Sequence, residues 1–342
     1  MTASTSIRSL VSLRELPRLP PEILQLIVES VLPSNTRALL PTSHSAVRTL
    51  LALTRVSRVT YSLASKLLRQ RCMYVETSRR LSKVLLCMDR LVPSLPPPSL
   101  SLRNITSLYL APFETTLDDQ PTAIWVRELF HEVSQTLRRL VVHMPFRSLD
   151  LPDDHLNVRP ILREGFEQLV HLEEFVCLGE YPALSTTKAS TDVWRLWPEL
   201  KRLVLFEVPI DNHWLWWNVA TLSRLEHVVL AKPTHLSGTN IKDEYFHKLP
   251  PDCPELKRQI RIVLYGVAYE IPTETVDTAR WNEIDPEERM TVERYEVPMP
   301  FYGDETPNEL VTGWIRRGAL DGTLWKSKGE RLGPAKRKGE FT

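Results

Sequence analysis

The chain has 342 residues, a formal net charge of +1, 42% hydrophobic and 25% charged residues, a balance that excludes wholesale disorder and leaves room for two or three folded units. Glycine is scarce at 11 residues and proline plentiful at 27; Gly-rich phosphate loops are therefore disfavoured, and neither GxxxxGK(S/T) nor GxGxxG occurs. No apolar run reaches the ~18 residues of a membrane span, and Cys72, Cys87, Cys177 and Cys253 form no CxxC pair, so they read as reduced thiols of a cytoplasmic or nuclear protein.

Charge is spread unevenly. Residues 1–90 hold 14 Lys/Arg against 5 Asp/Glu, whereas residues 269–309 hold 3 against 12. A basic front suits an acidic partner, either nucleic acid or an acidic protein. Two domains with differently solvated faces would give the same asymmetry. Nucleic acid is the weaker reading, because the arginines are scattered through helical sequence with almost no aromatic interleaving.

In chain order, residues 1–15 are Ser/Thr-rich with Arg8 and Arg14. They are expected to be a disordered tail, although a transit peptide has a similar composition. A helix is expected from Pro20-Pro21, which preset φ at its entry, to about Leu32, where Pro33 stops it. Its polar residues Glu22, Gln25 and Glu29 form one narrow stripe. A helix apolar on the rest of its circumference has to be covered on more than one side. A polar insert follows at 33–47, then two further helical patterns at about 46–58 and 60–72. A unit of roughly 60 residues is only marginally stable on its own core, so a partner covering its spare apolar face would help.

"LPPEILQLIVESVL" followed by "LLALTRVSRVTYSLA" resembles an F-box, the motif that docks on the Skp adaptor of a cullin-RING (SCF) ubiquitin ligase. The resemblance covers about residues 16–77. It implies that Leu19, Pro20, Pro21, Glu22, Ile23, Leu24, Ile27, Val31, Leu53 and Val56 meet the adaptor. Val56-Ser57-Arg58 matches the family's Val-Cys/Ser-Arg/Lys step. The family's aromatic four residues after that valine is Thr60 here, with Tyr61 beside it, and the insert at 33–47 is long.

A helical extension and the Pro-rich "VPSLPPPSL" (residues 92–100) make up 78–102. Three consecutive prolines form a stiff spacer and mark the main expected domain boundary. Beyond it, apolar-x-x-apolar-x-apolar recurs at Ile105/Leu108/Leu110, Leu137/Leu140/Val142, Leu172/Phe175/Cys177, Leu200/Leu203/Leu205 and Leu225/Val228/Leu230. Each closing alternation reads as a strand, preceded by helix-like sequence such as "IWVRELFHEVSQTLR". Residues 103–268 are similar to an irregular leucine-rich-repeat array, with proline in place of the expected post-strand Asn or Cys, as in many fungal-type F-box proteins. The fold class expected is α/β: a small three-helix F-box followed by a leucine-rich-repeat-like solenoid, or, alternatively, a mixed α/β domain without solenoid order. "RQIRIVLYGVAYEI" (258–271) should add a last strand. Residues 269–328 read as an acidic cap with a short helix at 310–320, and 329–342 as a basic disordered tail.

No HExxH, GxSxG or zinc-deaminase signature is present. The adjacent carboxylates Asp118-Asp119 and Asp153-Asp154 suit solvated loops better than catalysis. His171 and Cys177 could form a base–nucleophile pair, but Cys177 suits a strand core. No catalytic residue, metal or cofactor is expected. "HWLWW" places Trp214, Trp216 and Trp217 together. At least one should stay at the surface as a target-binding anchor. The resemblance implies a substrate-recognition subunit that binds a Skp-family adaptor, through it a cullin, and a protein target. The rival is a scaffold with an F-box-like module and no ligase.

Overall fold

The computed structural model describes residues 19–86, 104–149, 151–186, 191–247, 257–268, 276–299 and 304–333. The expected tail 1–15 and spacer 92–100 lie outside these residues. Among the described residues are ten α-helices and nine strands, so the chain is an α/β protein. The strands are β1 (Tyr74–Val75), β2 (Ser107–Leu110), β3 (Arg139–His143), β4 (Glu174–Leu178), β5 (Arg202–Phe206), β6 (His227–Ala231), β7 (Ile260–Val267), β8 (Met290–Val297) and β9 (Glu330–Arg331). They form one open sheet whose spatial order follows the chain. All pairs from β1 to β8 are parallel, and β9 returns antiparallel to β8.

The register aligns the recurrent apolar positions. Leu108, Leu140, Phe175, Leu203, Val228 and Ile262 stand side by side. Because side chains alternate along a strand, this row points to one face, here termed outer. Helices α4 (Ser78–Leu85), α5 (Gln120–Val133), α6 (Val158–Glu167), α7 (His213–Thr221), α8 (Ile241–Phe246) and α9 (Trp281–Ile284) cover it. They contribute Leu81, Phe130, Phe166, Trp216, Tyr245 and Trp281 to the main core. Buried indoles find acceptors, as buried Trp usually does: Trp197 donates to the Phe166 carbonyl at 2.9 Å and Trp216 to that of Ile210 at 2.6 Å.

The alternate residues, Val141, Val176, Val204, Val229 and Val263, line the inner face. One long helix, α10 (Pro307–Asp321), lies across them, packing on β4, β7 and β8. A Thr306/Glu309 capping box opens α10, and left-handed Gly322 ends it. Beneath its far end runs a buried charged row in which Glu174 pairs with Arg139 at 2.6 Å and with Arg202 at 3.4 Å.

Three sequence expectations change. The strand sheet begins before the Pro-rich spacer: β1 lies within the 16–77 unit and pairs with β2, while α4 packs on α5, so the spacer does not separate two sheets. The acidic region 269–328 is more than a cap, since β8 extends the sheet and α10 covers its inner face. The tail expected from 329 onward starts as structure. Leu332 is buried and donates its amide to the Val292 carbonyl at 2.9 Å. Gly329 allows this close approach, because a Cβ there would sit 2.5 Å from the Arg294 carbonyl oxygen. Among the described residues no helix is long and apolar enough to cross a membrane.

Candidate functional site

The first helices are α1 (Pro21–Ser30), α2 (Ser45–Leu53) and α3 (Arg58–Arg71). Pro21 sits at the entry of α1, whose N-cap Pro20 supplies no side-chain hydrogen bond, and Glu22 lies in the first turn, where the helix dipole favours an acid. His44 Nδ1 accepts the Ala46 amide at 3.1 Å and so caps α2. A capping box opens α3: the Ser57 hydroxyl accepts the Thr60 amide at 3.2 Å, and the Ser57 amide donates to the Thr60 hydroxyl at 3.0 Å. Thr60, the position where the F-box pattern has an aromatic, is thus a buried cap partner. An aromatic there would remove this reciprocal bond.

The three helices share a small core of Val28, Ala38, Leu40, Ala46, Val47, Leu50, Ala64 and Cys72. Val28 is the one fully buried residue of α1. Its other apolar side chains stay largely uncovered. Leu19 is 54% exposed, Ile23 42%, Leu26 62% and Ile27 45%, while Leu51 of α2, Val56 and Val59 are 51%, 69% and 45% exposed. Ile23, Leu26 and Ile27 follow the i, i+3, i+4 spacing that puts side chains on one helix face. Of the residues expected at an adaptor interface, Leu19, Pro20, Pro21, Glu22, Ile23, Ile27 and Val56 are exposed, and Leu24, Val31 and Leu53 are half-buried. Sequence reasoning missed Leu26, Leu51 and Val59. The uniformly apolar circumference of α1 was the available signal for Leu26.

Among the tryptophans, Trp214 is 66% exposed, Trp217 is partly buried against the core, and Trp216 is fully buried. Trp216 therefore cannot belong to a surface patch. It points into the layer between α7 and the sheet, as its bond to the Ile210 carbonyl requires.

The residues considered for chemistry have structural partners. Asp119 caps α5, accepting the Thr122 amide at 3.1 Å, and Asp118 accepts the Thr116 hydroxyl at 2.5 Å. Asp154 accepts the amides of Val158 and Arg159 at the start of α6. The Cys177 thiol is fully buried and donates to the Glu180 carbonyl at 3.1 Å. Burial, followed by the nearby Glu180 charge, raises its pKa well above the ordinary thiol value, the opposite of an activated nucleophile. An open cleft of about 640 Å³ lies between α10 and the ends of β1 to β4, lined among others by Glu76, Tyr109, Glu114, His143, Glu180 and Arg316. Burial, then Arg316, lowers the His143 pKa and favours its neutral form. Several of the carboxylates are held locally: Glu76 pairs with Arg80 at 3.6 Å and Glu180 accepts the Arg147 amide at 2.7 Å. Among the described residues no group of three or more His, Cys, Asp or Glu could hold a metal ion.

No protein-family model matches this chain, and no curated protein matches it.

Proposed function

We propose that the chain is a non-catalytic recruitment protein, the substrate-recognition subunit of an SCF-type cullin-RING ubiquitin ligase. In this reading α1 to α3 form an F-box that lays its uncovered apolar side chains on a Skp-family adaptor. The sheet with its outer helices is then an irregular leucine-rich-repeat-like solenoid that holds a target protein. The mechanism is proximity: the chain raises the target's effective concentration near ubiquitin carried by other subunits and donates no reacting group.

The observation that carries the reading is the concentration of exposed large apolar residues on α1 to α3. Soluble surfaces show such residues singly, and a concentration of them marks an interaction surface. Two further features support it. The strand order follows the chain with a helix or helical turn between successive strands, as stacked repeats do, and Trp214 is left free as an anchor.

Purified full-length chain should capture a purified Skp adaptor and then recruit a cullin through it. Capture of the adaptor without the cullin would favour the scaffold reading instead. Failure to capture the adaptor at micromolar concentrations would contradict the docking model.

A further inference from the structure

The insert between α1 and α2 meets the end of α10. Leu39 is buried within the inner-face cluster alongside Val311, Ile315, Ala319 and Trp325. Its amide donates to the Leu320 carbonyl at 2.6 Å. The Asn35 side-chain amide donates to the Asp321 carbonyl. Gly322 follows at φ 75°, and a Cβ added there would lie 2.7 Å from Arg37 Cβ and 3.1 Å from Asn35 Nδ2. On the other side, the same segment is tied to the helical unit: the Leu40 amide donates to the Arg71 carbonyl at 2.8 Å, and the Arg71 guanidinium donates to the Asn35 carbonyl. The insert that departs from the F-box pattern is therefore a built contact.

We propose that α10 is a clasp that holds the α1–α3 unit at a fixed angle to the sheet, with Asn35–Leu39 as its seat and Gly322 as the joint. The helix reaches both bodies: its middle packs across β4, β7 and β8, and its end grips the seat. The remaining links are the short chain connection from α3 into β1, the packing of α3 on β2, and a bond from Arg139 to the Arg37 carbonyl. A few residues at an element boundary suffice for a hinge, so these links alone leave the unit free to swing. The proposal rests on the recruitment reading only for its consequence, namely that a docked adaptor would hold the sheet at a set distance.

The test is a spin-label distance between Ser62 on α3 and Ser237 beyond β6, both exposed, introduced through ketone-bearing side chains that leave the native thiols untouched. Wild type should give one narrow distribution. Gly322→Val, which strains the left-handed joint and clashes with its seat, should broaden it about twofold. Asn35→Ala, milder and expected to fold, should broaden it in the same direction. Gly313→Ala, on α10 with open space around it, should leave the distribution unchanged. A wild-type distribution in both seat variants, with far-UV circular dichroism intact, overturns the clasp. If Gly322→Val unfolds the chain, Asn35→Ala decides by the same criterion. Adaptor capture is measured on the same samples. Broadened distances with no capture by any sample, wild type included, would uphold the clasp and sink the recruitment reading.

Discussion

Trp216 and Trp214 are two residues apart in one helix, yet they occupy opposite environments. Truncating Trp216 leaves a cavity and an unpaired Ile210 carbonyl. Trp216→Ala should therefore cost about 3–5 kcal/mol of stability in urea unfolding, against within about 0.5 kcal/mol for Trp214→Ala. Equal losses would mean that the α7 register is wrong. Titratable residues set the acid response. Burial, then the charges of Arg202 and Arg261, lowers the His227 pKa from 6.5. Its contribution is thus complete above about pH 6.5 and is lost as pH falls below that value. For Glu293, burial alone would raise the pKa, but hydrogen bonds from Arg261 and the Gly329 amide lower it below 4.5. Its stabilisation is complete above about pH 4.5 and is lost as pH falls through the lowered value. Asp192, raised by burial, works in the opposite sense and offsets part of this loss. The urea midpoint should therefore fall from pH 7.5 to 5 and again below 4.5, and His227→Gln should flatten the first fall. A midpoint independent of pH across both ranges would contradict these environments.

At the scale of elements, much was legible. The Leu108/Leu110-type alternations named five strands correctly, because a buried outer face demands apolar side chains at every second position. Pro21, Pro33 and the Thr306/Glu309 pair marked helix limits through chemistry that acts within a few residues. β8 was missed. Its Glu293, Arg294 and Glu296 break the apolar alternation, and these charges are tolerated because Arg261, Arg294 and Arg331 sit close by. β1 and β9 are two residues each, too short to carry a period. The same reasoning separates Leu50 from Leu51 on α2. Leu50 is completely buried and Leu51 is 51% exposed. Leu50→Ala should cost about 2–5 kcal/mol, whereas Leu51→Ala should stay within about 0.5 kcal/mol. Hydrogen exchange at α2 and α3 amides reads the difference. Matching protection in the two variants would show that α2 is rotated from its described face.

For the whole molecule, composition and repeat spacing gave the α/β class and the number of units, but not how the ends meet. The placement of α10 on the inner face depends on contacts nearly 300 residues apart, such as Asn35 with Asp321. No local pattern encodes such a contact. The long insert looked like a loose departure for the same reason. The surplus of apolar residues on α1 was visible in the sequence, and the fold leaves most of that surplus at the surface. That surface is the central claim, and Ile23 and Ile27 test it because both are exposed and removable without emptying a core. The decisive measurement is calorimetric binding of a Skp adaptor to the full chain and to the double variant Ile23→Asp with Ile27→Asp, after unfolding curves show equal stability. The account expects the variant to lose at least about 100-fold in affinity, about 2.8 kcal/mol. A variant that remains as stable as wild type and binds the adaptor equally well would contradict it.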